Sequence, residues 1–314
     1  MPAALCVSPR AIPRAFIVPS PAMTQPSLRH VQCLSARGLH RMAYWEWGDA
    51  ANPRVLVCVH GLSRQGRDFD TLARDLSAEY RVICPDVVGR GRSDWLADPM
   101  AYGLPTYVAD MVTLIARLDV EQVDWVGTSM GGLIGMGLAG LPGSPIRKLV
   151  LNDVGPVIEP AFMQRLGTYL GLPVHWPTVE AAADALQAIS VGFGPHTHEQ
   201  WLALTRPQLV PDVHNGQPGF KPHYDPAIAV PVRAMTPAMA AAGQAMLWQL
   251  YDQIQAPTLL LRGAGSDLLA PATAQAMAGR GPRAQLHEMA GVGHAPTLVQ
   301  PEQRAVVRRF LLGP

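Results

Sequence analysis

The segment Gly127-Thr128-Ser129-Met130-Gly131 has the pattern G-x-S-x-G, a serine held between two glycines. Residues 123–126 read as a buried strand and residues 130–140 as a helix, so the serine falls on a sharp strand-to-helix turn. Such a turn holds its central residue at positive φ, and side chains two positions to either side would collide with neighbouring backbone. A serine hydroxyl is a poor nucleophile until a base takes its proton and a third group orients that base. Of the ten histidines, His294 is the one in a loop between a final strand and a C-terminal helix, within Gly291-Val292-Gly293-His294-Ala295-Pro296. Asp267 follows the strand at 257–262 and is the acid expected to orient His294. Asp153, after the strand at 147–152, is the alternative acid. Loops that follow parallel strands emerge at one edge of an open sheet, which brings Ser129, Asp267 and His294 together there. The chemistry implied is attack on a carbonyl through an acyl intermediate.

That attack needs donors for the developing oxyanion. The loop after the strand at 54–59 reads Val59-His60-Gly61-Leu62-Ser63, and the backbone N–H groups of Leu62 and Met130 are the expected pair. His60 is read as a brace for this loop rather than a second base. Asp86 follows a strand at the same edge, but Pro85-Asp86-Val87-Val88-Gly89-Arg90-Gly91-Arg92-Ser93 reads as a loop shaped by an aspartate and glycines. The pairs His196/His198 and His214/His223 lie in a Pro/Gly-rich tract without carboxylates at ligand spacing, so no metal or other cofactor is expected. Phe162, Trp176 and Trp201 are the candidates to line a substrate pocket, with Tyr169 and Trp248 as further aromatics of the same stretch.

The elements that must position these residues follow from the apolar pattern. Strands are expected at 31–37, 41–47, 54–59, 81–84, 122–127, 147–152, 257–262 and 284–289. Most are Val/Leu/Ile-rich without alternation, as in parallel strands covered on both faces. Helices are expected at 68–77, 106–118, 130–140, 270–279 and 299–312, the second capped by Thr106 with Val108, Met111, Val112 and Ile115 on its apolar face. Alternation of strand and helix argues for a doubly wound α/β sheet, entered by a hairpin. It stops between 155 and 245, which reads as a helical cap inserted into a core made of residues 23–154 and 246–314. Residues 1–22, with Arg10 and Arg14 among five prolines, lack the apolar stretch of a secretory signal. They read as a disordered extension, with a targeting segment as the alternative and Met23 as an alternative start.

Composition narrows the partners. Lys and Arg total 25 against 24 Asp and Glu, a net charge of +1, which offers no electrostatic footprint for nucleic acid or anionic lipid. The uncharged run 125–146 is long enough for a bilayer, but its seven glycines and two prolines read as strand, turn and helix. Cys58 and Cys84 lie in apolar runs and no C-x-x-C pair occurs, which suits a reducing cytoplasm.

With these motifs assembled, the sequence resembles the α/β-hydrolase superfamily, in particular its cap-bearing bacterial carboxylesterase-like members, over about residues 35–312. The matching segments are Val59-His60-Gly61, residues 85–93, the elbow at 127–131, Gly263-Ala264-Gly265-Ser266-Asp267 and Gly293-His294. The resemblance implies a mostly parallel eight-stranded sheet with helices on both faces and a cap. It also implies a cofactor-independent serine hydrolase of a small hydrophobic ester, with the triad in the order Ser…Asp…His. The same triad serves lactonases, thioesterases and carbon–carbon bond hydrolases, and Leu62-Ser63-Arg64-Gln65 departs from the glycine-rich segment usual in the last group. Serine at 129 argues against the dehalogenases and epoxide hydrolases of the superfamily, which use aspartate. The rival of another class is a non-catalytic ligand-binding protein on this fold, which would commonly lack a triad member.

Overall fold

Aliphatic runs without polar alternation cannot face water on either side, and they form the middle of the sheet. The computed structural model describes residues 25–313; the extension expected at 1–22 and the alternative start at Met23 lie outside them. β1 (Ser27–Ser35) and β2 (Gly38–Trp47) form an antiparallel hairpin that pairs Ser35 with Gly38. The turn falls at Ala36 and Arg37, so the first two strands are longer than the apolar pattern predicts and the first stops before residue 37. β3 (Val55–Val59), β4 (Arg81–Pro85), β5 (Val123–Thr128) and β6 (Ile146–Asn152) follow within a residue or two of expectation. After a long excursion that holds β7 (Leu209–His214) and β8 (Gln217–Pro222), β9 (Thr258–Gly263) and β10 (Gln285–Met289) complete the set. The eight-stranded sheet has the order β1-β2-β4-β3-β5-β6-β9-β10, and every pairing from β4 to β10 is parallel. The order reverses between β3 and β5, so the crevice at their carboxyl ends is the switch point where α/β sheets bind ligands.

Alternation along each strand divides the core in two. Val55, Val57 and Val59 pack with α2 (Leu104–Arg117) and α3 (Met130–Ala139), while Leu56 and Cys58 pack with α1 (Asp70–Leu76) on the opposite face. Val57, Leu56 and Cys58 are fully buried, and each aliphatic side chain so buried contributes about 1.5–3 kcal/mol. α2 begins two residues before the expected Thr106 cap. Pro105 stands in its first turn, where proline's fixed φ suits the helix and its missing N–H costs nothing. Its buried face is Tyr107, Asp110, Met111, Leu114 and Ile115, with Val112 exposed. Of the expected face, Val108, Met111 and Ile115 pack into the core and Val112 alone turns to solvent, while Asp110 takes a buried place in a polar tie. The His40 ring Nε2 lies 3.1 and 3.0 Å from the two Asp110 carboxylate oxygens, beside buried Cys33, and so joins the entry hairpin to α2. Burial and the Asp110 charge push the Cys33 thiol up to about 12.

Between β6 and β9 the chain runs through α4 (Pro160–Gly167), α5 (Val179–Ile189), α6 (His198–Thr205), the β7–β8 hairpin, α7 (Ala229–Arg233) and α8 (Pro237–Gln253). The stretch at 155–245, expected from its sequence to be a helical cap, is therefore helical only in part and carries a β-hairpin. Pro211, Pro218 and Pro222 oppose helix, and Asn215-Gly216, at φ 50° and 76°, makes the two-residue turn that hairpins favour. This stretch touches the sheet at several points: Arg90 bridges to Tyr224, and the Gly293 N–H donates to the Gly192 carbonyl at 2.6 Å. α9 (Pro271–Gly279) and α10 (Pro301–Leu312) close the fold. Residues 125–146 form β5, α3 and the start of β6, and no helix among the described residues is long and apolar enough to cross a membrane.

Candidate active site

β5 runs out at Thr128 and the chain reverses into α3 through Ser129, which sits at φ 53°, ψ −117°. A Cβ on Gly127 would stand 2.2 Å from the Gly131 carbonyl oxygen, and one on Gly131 would stand 2.0 Å from that of Val59. Neither approach is open to a side chain, so the two glycines let the elbow press against β3. The Ser129 N–H is fixed by the Asn152 carbonyl at 3.0 Å, and the Asn152 amide donates to the Thr128 hydroxyl and to the Pro296 carbonyl. One β6 residue thus ties the serine turn to the loop that bears His294.

The His294 Nε2 lies 3.0 Å from the Ser129 hydroxyl, and its Nδ1 lies 2.8 Å from the Asp153 carboxylate. With the proton on Nδ1 directed at Asp153, Nε2 is left to accept from the serine, the tautomer a general base requires. Asp153 is fully buried at φ 55°. It also accepts from the Gly263 N–H at 2.8 Å and from the Ser266 hydroxyl at 2.7 Å. Its charge is thereby met from three directions without a cation.

Asp267, the acid expected from the sequence, is elsewhere. Its side chain is 44% exposed and pairs with Arg165 of α4 at 2.7 Å. The reason lies in the turn after β9. Ser266 turns inward, donating to Asp153 and accepting from the Leu269 N–H at 3.0 Å, and the next residue is carried outward. Sequence reading passed over Ser266; its position one residue before the favoured aspartate is the signal that was available.

Leu62 and Met130, the expected oxyanion donors, stand at the mouths of β3 and β5. A Cβ on Gly61 would stand 3.7 Å from the Ser129 Cβ, so the loop after β3 lies against the serine. The Gly61 carbonyl accepts from the His60 Nδ1 at 2.7 Å and from the Arg64 N–H at 3.1 Å. Because a peptide plane is rigid, holding that carbonyl directs the N–H of the same peptide, that of Leu62, the opposite way. The N–H groups of Leu62 and Met130 donate to no acceptor among the described residues. His60 Nε2 accepts from the Val87 N–H at 2.9 Å, and burial lowers the imidazole to about 3, so it is a neutral brace. Asp86 accepts from the Gly66 and Arg92 N–H groups at 2.8 and 2.9 Å, and burial raises it to about 6.

Of the three aromatic candidates, Phe162 meets the His294 ring edge-on at 4.9 Å. Trp201 is buried and stacks on Phe193, and Trp176 pairs through its backbone with Phe220 of β8. The described His, Cys and carboxylate groups close enough to share an ion are Cys33, His40 and Asp110. They lie on the entry hairpin and α2 rather than in the loops that bear Ser129 and His294. His196 is engaged by the Gly194 carbonyl and the Thr297 hydroxyl.

Comparison with known proteins gives the family of the chain. Residues 56–308 match the model of the alpha/beta hydrolase family. A 3-hydroxybutyrate-oligomer hydrolase of Cupriavidus necator is 58% identical over 288 residues, 92% of this chain and 98% of that protein. An alpha/beta hydrolase structure from Novosphingobium aromaticivorans is 36% identical, with a TM-score of 0.79 over 92% of this chain and 99% of that one. A structure from Rickettsia typhi is 29% identical with a TM-score of 0.81, over the same shares. The sheet order, the serine elbow and a match across most of its length place the chain in the alpha/beta hydrolase family, as one of its hydrolytic enzymes.

Proposed function

We propose that this protein hydrolyses the ester bonds of short 3-hydroxybutyrate oligomers through a triad of Ser129, His294 and Asp153. The observation that carries the mechanism is the pair of hydrogen bonds on one imidazole, to the Ser129 hydroxyl and to buried Asp153. The substrate class rests on the relative from Cupriavidus necator, 58% identical along almost its whole length.

His294 Nε2 takes the hydroxyl proton as the Ser129 oxygen bonds to the ester carbonyl carbon. The carbonyl oxygen becomes an oxyanion received by the Leu62 and Met130 N–H groups, each such donor contributing about 10²–10³ in rate. Asp153 stabilises the imidazolium formed. Collapse breaks the bond to the alkoxy oxygen of the leaving unit, which takes the proton from His294 and departs as an alcohol. Water then gives a proton to His294 and attacks the acyl-enzyme, releasing the acid and restoring Ser129. Residues 155–245 act as a cap over this edge, a role supported by Phe162 against His294 and by the Gly192–Gly293 hydrogen bond. The buried free thiols of Cys33, Cys58 and Cys84 suit a reducing cytoplasm as the place of action.

The test is hydrolysis of the 3-hydroxybutyrate dimer and trimer beside p-nitrophenyl esters, lactones, thioesters and vinylogous diketones, with wild type and Ser129→Ala. The dimer and trimer are expected to be cleaved, and Ser129→Ala to lose at least ~10⁴-fold in kcat. Undiminished cleavage by Ser129→Ala overturns the mechanism, whereas strong preference for a lactone, thioester or diketone overturns the substrate class alone.

A further inference from the structure

Arg90 has no exposed surface and no carboxylate within ion-pair distance among the described residues. An arginine keeps its charge in a protein, and a buried charge without a counter-ion is costly unless its surroundings answer it. Here they answer with oxygens, a sulfur and two rings. Nε donates to the Leu62 carbonyl at 2.8 Å; Nη1 donates to the Val88 carbonyl at 2.7 Å and meets the Tyr107 hydroxyl at 3.0 Å. Nη2 has only the Met130 thioether, at 3.6 Å, and thioether sulfur is a weak acceptor. The guanidinium also lies over the Tyr102 and Tyr107 rings, at 5.7 and 5.1 Å. The Tyr102 hydroxyl, on one of those rings, donates to Asp225 at 2.6 Å, and Asp225 makes no ion pair with Arg90.

The residues it joins are telling. Leu62 lies in the loop after β3 and Met130 opens α3, and each supplies one of the two free N–H groups beside Ser129. We infer that Arg90 is a positioning residue for the oxyanion site: one planar, rigid cation fixes the Leu62 loop and the first residue of α3 relative to each other. This deepens the serine-hydrolase reading and rests on it. Preorganised donors stabilise a developing oxyanion because they need not reorient as charge forms, and the unneutralised positive charge behind them adds to the same field. A lysine keeps the charge but presents a single point of donation, and cannot reproduce the fork.

The test compares Arg90→Met, Arg90→Lys and Met130→Leu with wild type on the 3-hydroxybutyrate dimer. Each is also titrated with a boronic acid, which mimics the tetrahedral state on Ser129, and with 3-hydroxybutyrate, which mimics product. Arg90→Met is expected to lower kcat by ~10–100-fold with KM within about threefold, since only the transition state gains from ordered donors. Boronate affinity falls with it, product affinity holds, and Arg90→Lys lies between. A folded Arg90→Met with wild-type kcat, or one that loses boronate and product affinity equally, overturns the inference. If Arg90→Met does not fold, the other two variants decide: weakened boronate binding supports the role, and wild-type binding in both overturns it. Ser129→Ala separates the levels. Full activity there removes the serine-hydrolase reading and this inference with it, whereas an inactive Ser129→Ala beside a fully active Arg90→Met removes the inference alone.

Discussion

Two aspartates end adjacent strands of one sheet, and they live in opposite conditions. Asp153, one residue past β6, is fully buried and holds His294, Ser266 and the Gly263 N–H. Asp267, four residues past β9, stands 44% exposed against an arginine that is itself 40% exposed. Both loops open at the carboxyl edge and both carry the right functional group. What separates them is the path of a single turn: Ser266 faces inward, so the next side chain faces out. A carboxylate serves as an orienter when its hydrogen bonds are fixed before the reaction, and here that condition is met by Asp153 alone. An exposed pair like Arg165–Asp267 is worth only about 0–1 kcal/mol.

The contrast can be broken by substitution, beginning where the effect is greatest. Asp153→Ala is expected to lower kcat by ~10³–10⁴-fold, the usual consequence of removing a triad acid. It also leaves buried donors unpaired and costs roughly 1–3 kcal/mol in stability, read from chemical denaturation. Asp267→Ala should change neither by much, staying within about 1 kcal/mol of wild type; a large loss of activity there would reverse the assignment. Ser266→Ala probes the turn itself. It frees one Asp153 oxygen, loosens the imidazole, and is expected to lower kcat by about tenfold while KM is little changed. Steady-state kinetics on the dimer would expose any larger role for the hydroxyl.

The smallest effect carries the contrast between buried and exposed groups to the loops after β3 and β4. His60 is lowered to about 3 in the fold, from an ordinary 6.5. As pH falls from 6.5 towards 3 the unfolded chain takes this proton first, so His60 makes acidification destabilising over that window. Asp86 is raised to about 6 from 3.8. Between 6 and 3.8 the folded protein takes its proton first, and the sign is opposite. Melting curves from pH 7 to 5 should therefore flatten in His60→Asn and steepen in Asp86→Asn. Parallel curves for all three proteins would show that neither group titrates as its burial demands.

Much of this was legible because burial leaves a mark on residue type. β3, β6 and β9 carry Val/Leu-rich runs since each is covered on both faces, and Ser129 is visible because only glycines permit its turn. His294 stands out because it occupies the last loop before the C-terminal helix. The acid was not legible: a turn's path is decided by hydrogen bonds such as Ser266 to Asp153, which leave no pattern in a sequence where Asp follows Ser. The α2 face was legible in Val108, Met111 and Ile115 but not in Asp110, whose burial depends on its partner His40 of the entry hairpin. The β7–β8 hairpin was obscured by its prolines and exposure, although Asn215-Gly216 marked its turn.

The central claim, that Asp153 rather than Asp267 completes the triad, is tested most directly by Asp153→Asn and Asp267→Asn side by side on the 3-hydroxybutyrate dimer. Both are isosteric, so a loss reports the charge and hydrogen-bonding role rather than the space. The expected result is a kcat lowered ~10³-fold or more in Asp153→Asn and unchanged within about threefold in Asp267→Asn. The reverse order would contradict the account.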